Sequence, residues 1–125
     1  MMSGLQFDGL PYEEGRRWEL LEGTLIEVSS PTPRHQAVVF NILSMLRRYL
    51  TGRQGAAMAD VEFALSDVLR LRPDVCVLLE ERASTLDPDR VSVPGAPDLA
   101  IEVISPTEYK SIKESPATLW IRPNK

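Results

Sequence analysis

The stretch Pro73-Asp74-Val75-Cys76-Val77-Leu78-Leu79 decides the fold, together with a second stretch, Leu99-Ala100-Ile101-Glu102-Val103-Ile104. Both are short, nearly apolar runs of the kind that forms a central β-strand. Asp74 opens the first run, and Glu102 lies inside the second. A carboxylate in an apolar run is costly to bury unless it is paired or binds a cation. Two such acids at matching places on neighbouring strands therefore predict a shared divalent metal, Mg²⁺ or Mn²⁺.

Length, charge and cysteine content restrict the class of protein. The chain of 125 residues fits one domain with one modest core. Its net charge of −4 does not indicate nucleic-acid binding. A nuclease of this charge would need local basic patches and a metal. The single cysteine, Cys76, excludes a disulfide within the chain. With no signal-peptide pattern and no apolar stretch of about 20 residues, the sequence predicts a soluble cytoplasmic protein without a membrane span.

The first half of the chain predicts a hairpin followed by a long helix. Residues 1–16 are interpreted as a polar lead-in, and two apolar runs in residues 18–28 are separated by Glu22-Gly23, a two-residue hairpin signal. Thr32-Pro33 has the form of a helix N-cap and first helical residue. Apolar residues then recur with the spacing of an amphipathic helix, which ends at Thr51-Gly52.

The second half predicts three strands over residues 57–65, 74–79 and 99–104. A long connection with one helical turn over residues 81–85 joins the last two strands. Ser105-Pro106-Thr107-Glu108 resembles a capping box and predicts a helix to about residue 115, before a short strand over 119–121. The predicted fold class is α/β, with a mixed central sheet, flanking helices and an N-terminal β-hairpin.

This order of elements resembles the restriction-endonuclease-like core of the PD-(D/E)XK nuclease superfamily, and within it the Uma-two family. The similarity covers roughly residues 12–107. The matching segments are Trp18-Glu19-Leu20-Leu21-Glu22-Gly23, Ser30-Pro31-Thr32-Pro33-Arg34-His35-Gln36, Arg72-Pro73-Asp74-Val75, Pro97-Asp98-Leu99-Ala100-Ile101-Glu102-Val103 and Ile104-Ser105-Pro106-Thr107. Each segment is a weak signal by itself, whereas the set in this order is specific.

The resemblance implies a Mg²⁺- or Mn²⁺-dependent endonuclease that hydrolyses phosphodiester bonds of DNA. Asp74 and Glu102 would be the catalytic metal ligands, joined by the backbone carbonyl of Val103, and Glu19 matches a recurrent glutamate that would line the same cleft. It also implies one restriction-endonuclease-like domain over residues 1–125, in which residues 108–125 diverge from the family pattern.

The basic member of the expected site is missing. The superfamily lysine belongs two residues after the second acid, where this chain has Ile104. The family relocates that lysine to a position that is Pro116 here, and an expected aspartate falls on Ile112. Lys110 and Lys113, in the predicted helix after Ser105, are the candidates to replace it.

Several other polar residues have two possible interpretations. A structural role for His35 is favoured over contact with substrate, and a solvated strand position for Glu62 is favoured over a third metal ligand. Arg70 and Arg72 flank the strand that leads to Asp74, so they are the best local candidates for phosphate contacts.

Two alternatives to a nuclease remain: a catalytically inactive nucleic-acid-binding or protein-interaction module on the same fold, and a structural dimer that retains the acids. We also expect a homodimer, because a divergent C-terminal part would leave apolar surface uncovered, with Trp18 and Trp120 as anchors. The expected surface draws on the helix stripe or the hairpin: Val38, Val39, Ile42, Leu46 and Leu50, or Leu20, Leu25 and Ile26.

Overall fold

A computed structural model of the chain describes residues 1–104 and the backbone of residues 118–121. The elements are α1 (Gly4–Asp8), β1 (Arg17–Leu21), β2 (Thr24–Val28), α2 (Pro33–Leu50), β3 (Gly55–Ala59), β4 (Glu62–Ser66), β5 (Leu69–Leu71), β6 (Val75–Leu79), α3 (Glu80–Ser84), β7 (Ser92–Pro94), β8 (Leu99–Val103) and β9 (Thr118–Ile121). The predicted α/β class, the N-terminal hairpin, the long helix and the last strand are confirmed. The helix predicted after Ser105 lies outside the described residues.

The described strands are shared between two sheets, where the sequence predicted one central sheet. The five-stranded sheet has the order β2-β1-β5-β4-β7, and the four-stranded sheet has the order β3-β6-β8-β9. Both sheets are mixed, because β4 pairs with β7 in parallel and β8 pairs with β9 in parallel, while the other pairs are antiparallel.

The prediction of one strand over residues 57–65 was wrong, because the chain changes sheets within it. Strand β3 ends at Ala59, and Asp60 has a left-handed backbone with φ of 61° before β4 begins. Aspartate tolerates this conformation better than most residues do. The N–H of Asp60 donates to the carbonyl oxygen of Asp74 at 3.2 Å, so the crossover lies beside the start of β6.

The hairpin turn follows the local sequence signal. Glu22 and Gly23 have φ values of 48° and 79°, and this pair of positive φ values is the form that matches the twist of a two-residue hairpin. The turn sets the register in which Leu20 faces Leu25 and Glu19 faces Ile26. Glu19 therefore has a fixed position on β1.

The four-stranded sheet lies between α2 and the five-stranded sheet. On the face toward α2, Val39 packs in one cluster with Val75, Ile101 and Val103. On the opposite face, Cys76 and Leu78 pack with Phe63 and Val93 of the other sheet. Because side chains alternate along a strand, β6 contributes to both clusters, which explains why its sequence is nearly apolar throughout. Strand β8 contributes Ile101 and Val103 to the cluster under α2.

The apolar stripe of α2 is packed inside the protein, so its expected exposure was wrong. Val39 and Leu50 are buried, and Val38, Ile42 and Leu46 are partly buried against the sheet. In the hairpin, Leu20 is fully buried, whereas Ile26 is 38% exposed. The large apolar side chains that α2 does expose are others: Phe40, Met45 and Tyr49.

Three short elements were not predicted from the sequence: α1, β5 and β7. Helix α1 occupies the segment interpreted as a polar lead-in; a capping box between Ser3 and Gln6 starts it, and Gly9 ends it. The guanidinium of Arg70 on β5 lies against α1 and contacts Asp8 at 3.4 Å. No helix among the described residues is both long and apolar enough to cross a membrane.

Candidate active site

The two predicted metal ligands occur at one end of the β6–β8 pair. Val75 of β6 faces Ile101 of β8, and continuing this antiparallel register by one residue sets Asp74 opposite Glu102. Directly opposed residues have Cβ atoms about 4.5–5.5 Å apart on the same face of a sheet. The backbone N–H of Val103 donates to Oδ2 of Asp74 at 2.7 Å, which ties the aspartate to β8. The site thus begins with two acids joined through strand pairing.

His35 approaches Asp74 from the first turn of α2. Its Nε2 lies 3.2 Å from Oδ2 of Asp74, and the two side chains are 21% and 23% exposed. The side chain of Thr32 accepts a hydrogen bond from the backbone N–H of His35 at 3.2 Å, as an N-cap does. The helix cap therefore fixes the backbone from which the imidazole reaches the aspartate.

Glu19 reaches the same region from the five-stranded sheet. Its Oε2 accepts a hydrogen bond from the backbone N–H of Arg72 at 2.7 Å. Burial raises the pKa of Glu19; the hydrogen bond and positive charge of Arg72 oppose that rise, and the negative charge of Asp74 adds to it. Glu19 and Asp74 are therefore close enough to interact electrostatically.

This raised pKa predicts a pH-dependent contribution to stability. Because the folded chain holds the proton of Glu19 more tightly than the unfolded chain, the stabilisation is complete below the ordinary pKa of 4.5 and is lost as pH rises through the raised value. We expect Glu19→Gln to gain stability relative to the wild type as pH rises above 4.5. Urea unfolding in the presence of a chelator, repeated across pH, measures the difference.

Glu27→Gln is the matched control, and its stability relative to the wild type should change with pH in the opposite direction. Hydrogen bonding to Arg16 lowers the pKa of Glu27, so its stabilisation is present above 4.5 and is lost as pH falls through the lowered value. As pH rises from strongly acidic values toward 4.5, this surface variant should lose stability relative to the wild type. A pH-independent difference for Glu19→Gln would contradict the assignment of Glu19 as a desolvated acid.

Arg72 links Glu19 to two further acidic residues, Asp60 and Glu62. Its guanidinium donates to the carbonyl oxygen of Asp60 at 2.9 Å and lies 3.7 Å from Oε1 of Glu62. Glu62 is 7% exposed, so the expectation of a solvated strand position was wrong. Arg70 is 9% exposed and bonds the carbonyl of Ser66. Both arginines thus make contacts within the chain, and their expected contacts with phosphate stay a prediction.

The residues present fit a hard divalent cation. The described residues contain no group of three or more His, Cys, Asp or Glu side chains that could hold a metal. Mg²⁺ does not require one, because it is commonly held by one or two carboxylates and several waters. Asp74, Glu102 and the carbonyl of Val103 would supply only oxygen donors. Lys110 and Lys113 lie outside the described residues.

Cysteine chemistry is not available at this site. Cys76 is fully buried in β6, and burial raises the pKa of its thiol to about 11. A thiol with that pKa is protonated near neutral pH and is a poor nucleophile. The chemistry of this end of the sheet therefore rests on carboxylates.

Two members of the site were not assigned to it from the sequence. The contact of His35 with Asp74 was missed; the available signal was its place three residues after the N-cap Thr32, in the segment that carries the family resemblance. The role of Arg72 was missed because its partners Glu19, Asp60 and Glu62 come from other segments of the chain.

Comparison with known proteins identifies the family and the fold. The family model Uma2, described as "Putative restriction endonuclease", matches residues 5–115. No curated protein matches the sequence significantly. A crystal structure described as "a putative nuclease belonging to DUF820 from Anabaena variabilis ATCC 29413" has a TM-score of 0.71 and 23% sequence identity. The match covers 89% of this chain and 65% of that one, so this chain spans about two thirds of its length. The chain belongs to the Uma2 family.

Proposed function

We propose that this chain is a divalent-metal-dependent phosphodiesterase that cleaves DNA. The observation that carries the proposal is the pairing of β6 with β8, which sets Asp74 opposite Glu102 and bonds Asp74 to the backbone of Val103. Membership of a family described as "Putative restriction endonuclease" supports the choice of DNA as the substrate.

In this proposal, Asp74 and Glu102 hold the cation, and the carbonyl of Val103 assists them. A bound cation would activate water and offset the charge that develops on the phosphate during cleavage. Glu19 would lie beside this pair as a desolvated acid whose pKa is raised. Arg34 is exposed in the first turn of α2, next to His35, and is placed to attract the DNA backbone.

The missing lysine determines the expected rate. Ile104 is 2% exposed and cannot exchange a proton with a nucleophilic water. Loss of a positioned acid–base group costs about 10²- to 10⁴-fold in rate. We therefore propose slow cleavage, with Lys110 or Lys113 as the remaining candidates for a basic group.

Incubation with supercoiled and single-stranded DNA in Mg²⁺ and Mn²⁺ tests the proposal. We expect slow nicking that stops when a chelator is added. Metal binding without cleavage of any DNA form would overturn it and favour the inactive module, an alternative that the buried apolar Ile104 supports. Salt-dependent DNA binding would then indicate a nucleic-acid-binding module, and its absence a protein-interaction module or structural dimer.

We also propose a homodimer, in which two copies would present two clefts to a duplex. Phe40, Met45 and Tyr49 of α2 are 67%, 66% and 64% exposed, and large exposed apolar side chains are enriched at interfaces. Sedimentation equilibrium at micromolar concentration should give a species of twice 14.0 kDa, which Met45→Lys shifts toward the monomer. A single species near 14.0 kDa for the wild type would contradict the dimer.

A further inference from the structure

We propose that His35 is a positioning residue that holds the Asp74 carboxylate in the orientation needed to bind a cation. The inference rests on the proposed function, because it concerns the same metal site. His35 carries no role in the metal chemistry implied by the sequence. Its Nε2 lies 3.2 Å from Oδ2 of Asp74, within hydrogen-bonding distance.

Two contacts converge on one oxygen of the aspartate. The N–H of Val103 reaches Oδ2 at 2.7 Å from β8, and Nε2 of His35 reaches the same atom at 3.2 Å from α2. Neither contact occupies Oδ1. Rotation of the carboxylate would break both contacts, so together they fix which oxygen is left for a cation.

The imidazole is itself held by the packing of α2. The Thr32 cap bonds the backbone of His35, and Val39, one turn further along α2, is buried against Val75 and Val103. These two valines follow Asp74 and Glu102 directly in sequence. The same contacts that dock the helix on β6 and β8 therefore set the distance between the imidazole and the carboxylate.

The two ring nitrogens have different surroundings. Nδ1 of His35 is buried and has no hydrogen-bond partner within the described part of the chain. Nε2, by contrast, lies 3.2 Å from Oδ2 of Asp74. A buried nitrogen without a partner among the described residues calls for an explanation beyond packing, and we assign the ring the role of orienting Asp74 through Nε2.

Mn²⁺ binding to the intact protein tests this role without relying on cleavage. Electron paramagnetic resonance of free Mn²⁺ gives the affinity of the wild type, His35→Gln and His35→Phe. Glutamine retains an N–H donor at the place of Nε2, whereas phenylalanine retains a ring and loses the donor. Because loss of a residue that orients a metal ligand typically costs 10- to 100-fold in affinity, we expect a loss of about that size for phenylalanine and near-wild-type affinity for glutamine.

Thermal unfolding of the metal-free proteins separates positioning from a general loss of structure. The proposal requires that phenylalanine weakens Mn²⁺ binding while its melting temperature stays close to that of the glutamine variant. Equal affinities for all three proteins, with binding that still depends on Asp74, would overturn the role of His35 and leave the proposed function standing. Nitrogen hyperfine coupling to bound Mn²⁺ would also overturn it, since His35 would then be a ligand. No Mn²⁺ binding by the wild type would overturn the proposed function itself.

Discussion

Replacing Asp74 with asparagine, or Glu102 with glutamine, should reduce DNA cleavage at least about 10²-fold, because electrostatic stabilisation of a developing anion is commonly worth 10²- to 10³-fold. Each substitution removes one negative charge from the pair that would hold the cation and changes little in volume. Asparagine at position 74 also keeps an oxygen that can accept the N–H of Val103. Rates of plasmid nicking at saturating Mn²⁺ measure the effect.

Asp98→Asn is the matched control, because Asp98 occupies the opposite end of the same strand pair. Its Oδ2 accepts the backbone N–H of Leu79 at 2.8 Å, much as Asp74 accepts that of Val103. Asp98 is exposed and belongs to no acid pair in the described site. Its variant should nick DNA at the wild-type rate. Equal losses in Asp98→Asn and Asp74→Asn would show that damage to the sheet, instead of loss of a metal ligand, explains the result.

Ile104→Lys should raise the cleavage rate by at least about 10²-fold, because it restores a basic group two residues after Glu102. Strand alternation places position 104 on the face shared by Glu102. Ile104 is 2% exposed, so a lysine there loses hydration, and the carboxylates of Asp74 and Glu102 are the charges that offset this loss. The variant is therefore expected to unfold at a lower temperature than the wild type and yet to cleave faster.

Ile104→Met controls for the change in shape at the same position. Methionine has an unbranched side chain like that of lysine but carries no charge, so this variant should neither gain activity nor lose much stability. A folded Ile104→Lys protein that binds Mn²⁺ and cleaves no faster than Ile104→Met would contradict the view that the missing base limits the rate.

The strands that carry the acids were predictable because their signals are local. An apolar run opened by Pro73-Asp74 can be read without knowing its neighbours, and so can the cap at Thr32-Pro33 and the turn at Glu22-Gly23. Each of these signals depends on a few consecutive residues whose backbone preferences agree with the final fold. The two apolar runs were predicted as strands in the same way, and they do pair as β6 and β8.

The five-stranded sheet was not predictable as a separate sheet, because its short strands β5 and β7 are defined by their pairing partners. Leu69–Leu71 has only three residues, and its alignment beside β1 rests on the pairing of Leu20 with Arg70. The bond between Glu19 and Arg72 spans 53 positions, and the contact between His35 and Asp74 also joins distant segments. Such contacts are products of tertiary packing, for which a single sequence carries no periodic signal.

Anomalous diffraction from crystals soaked in Mn²⁺ tests the central claim, that Asp74 and Glu102 bind one cation. The account predicts an anomalous peak between the two carboxylates, with oxygen ligands that include Asp74 and the carbonyl of Val103, and no such peak in Asp74→Asn crystals. Mn²⁺ bound elsewhere on the chain, with the space between Asp74 and Glu102 empty at a concentration that saturates binding in solution, would contradict it.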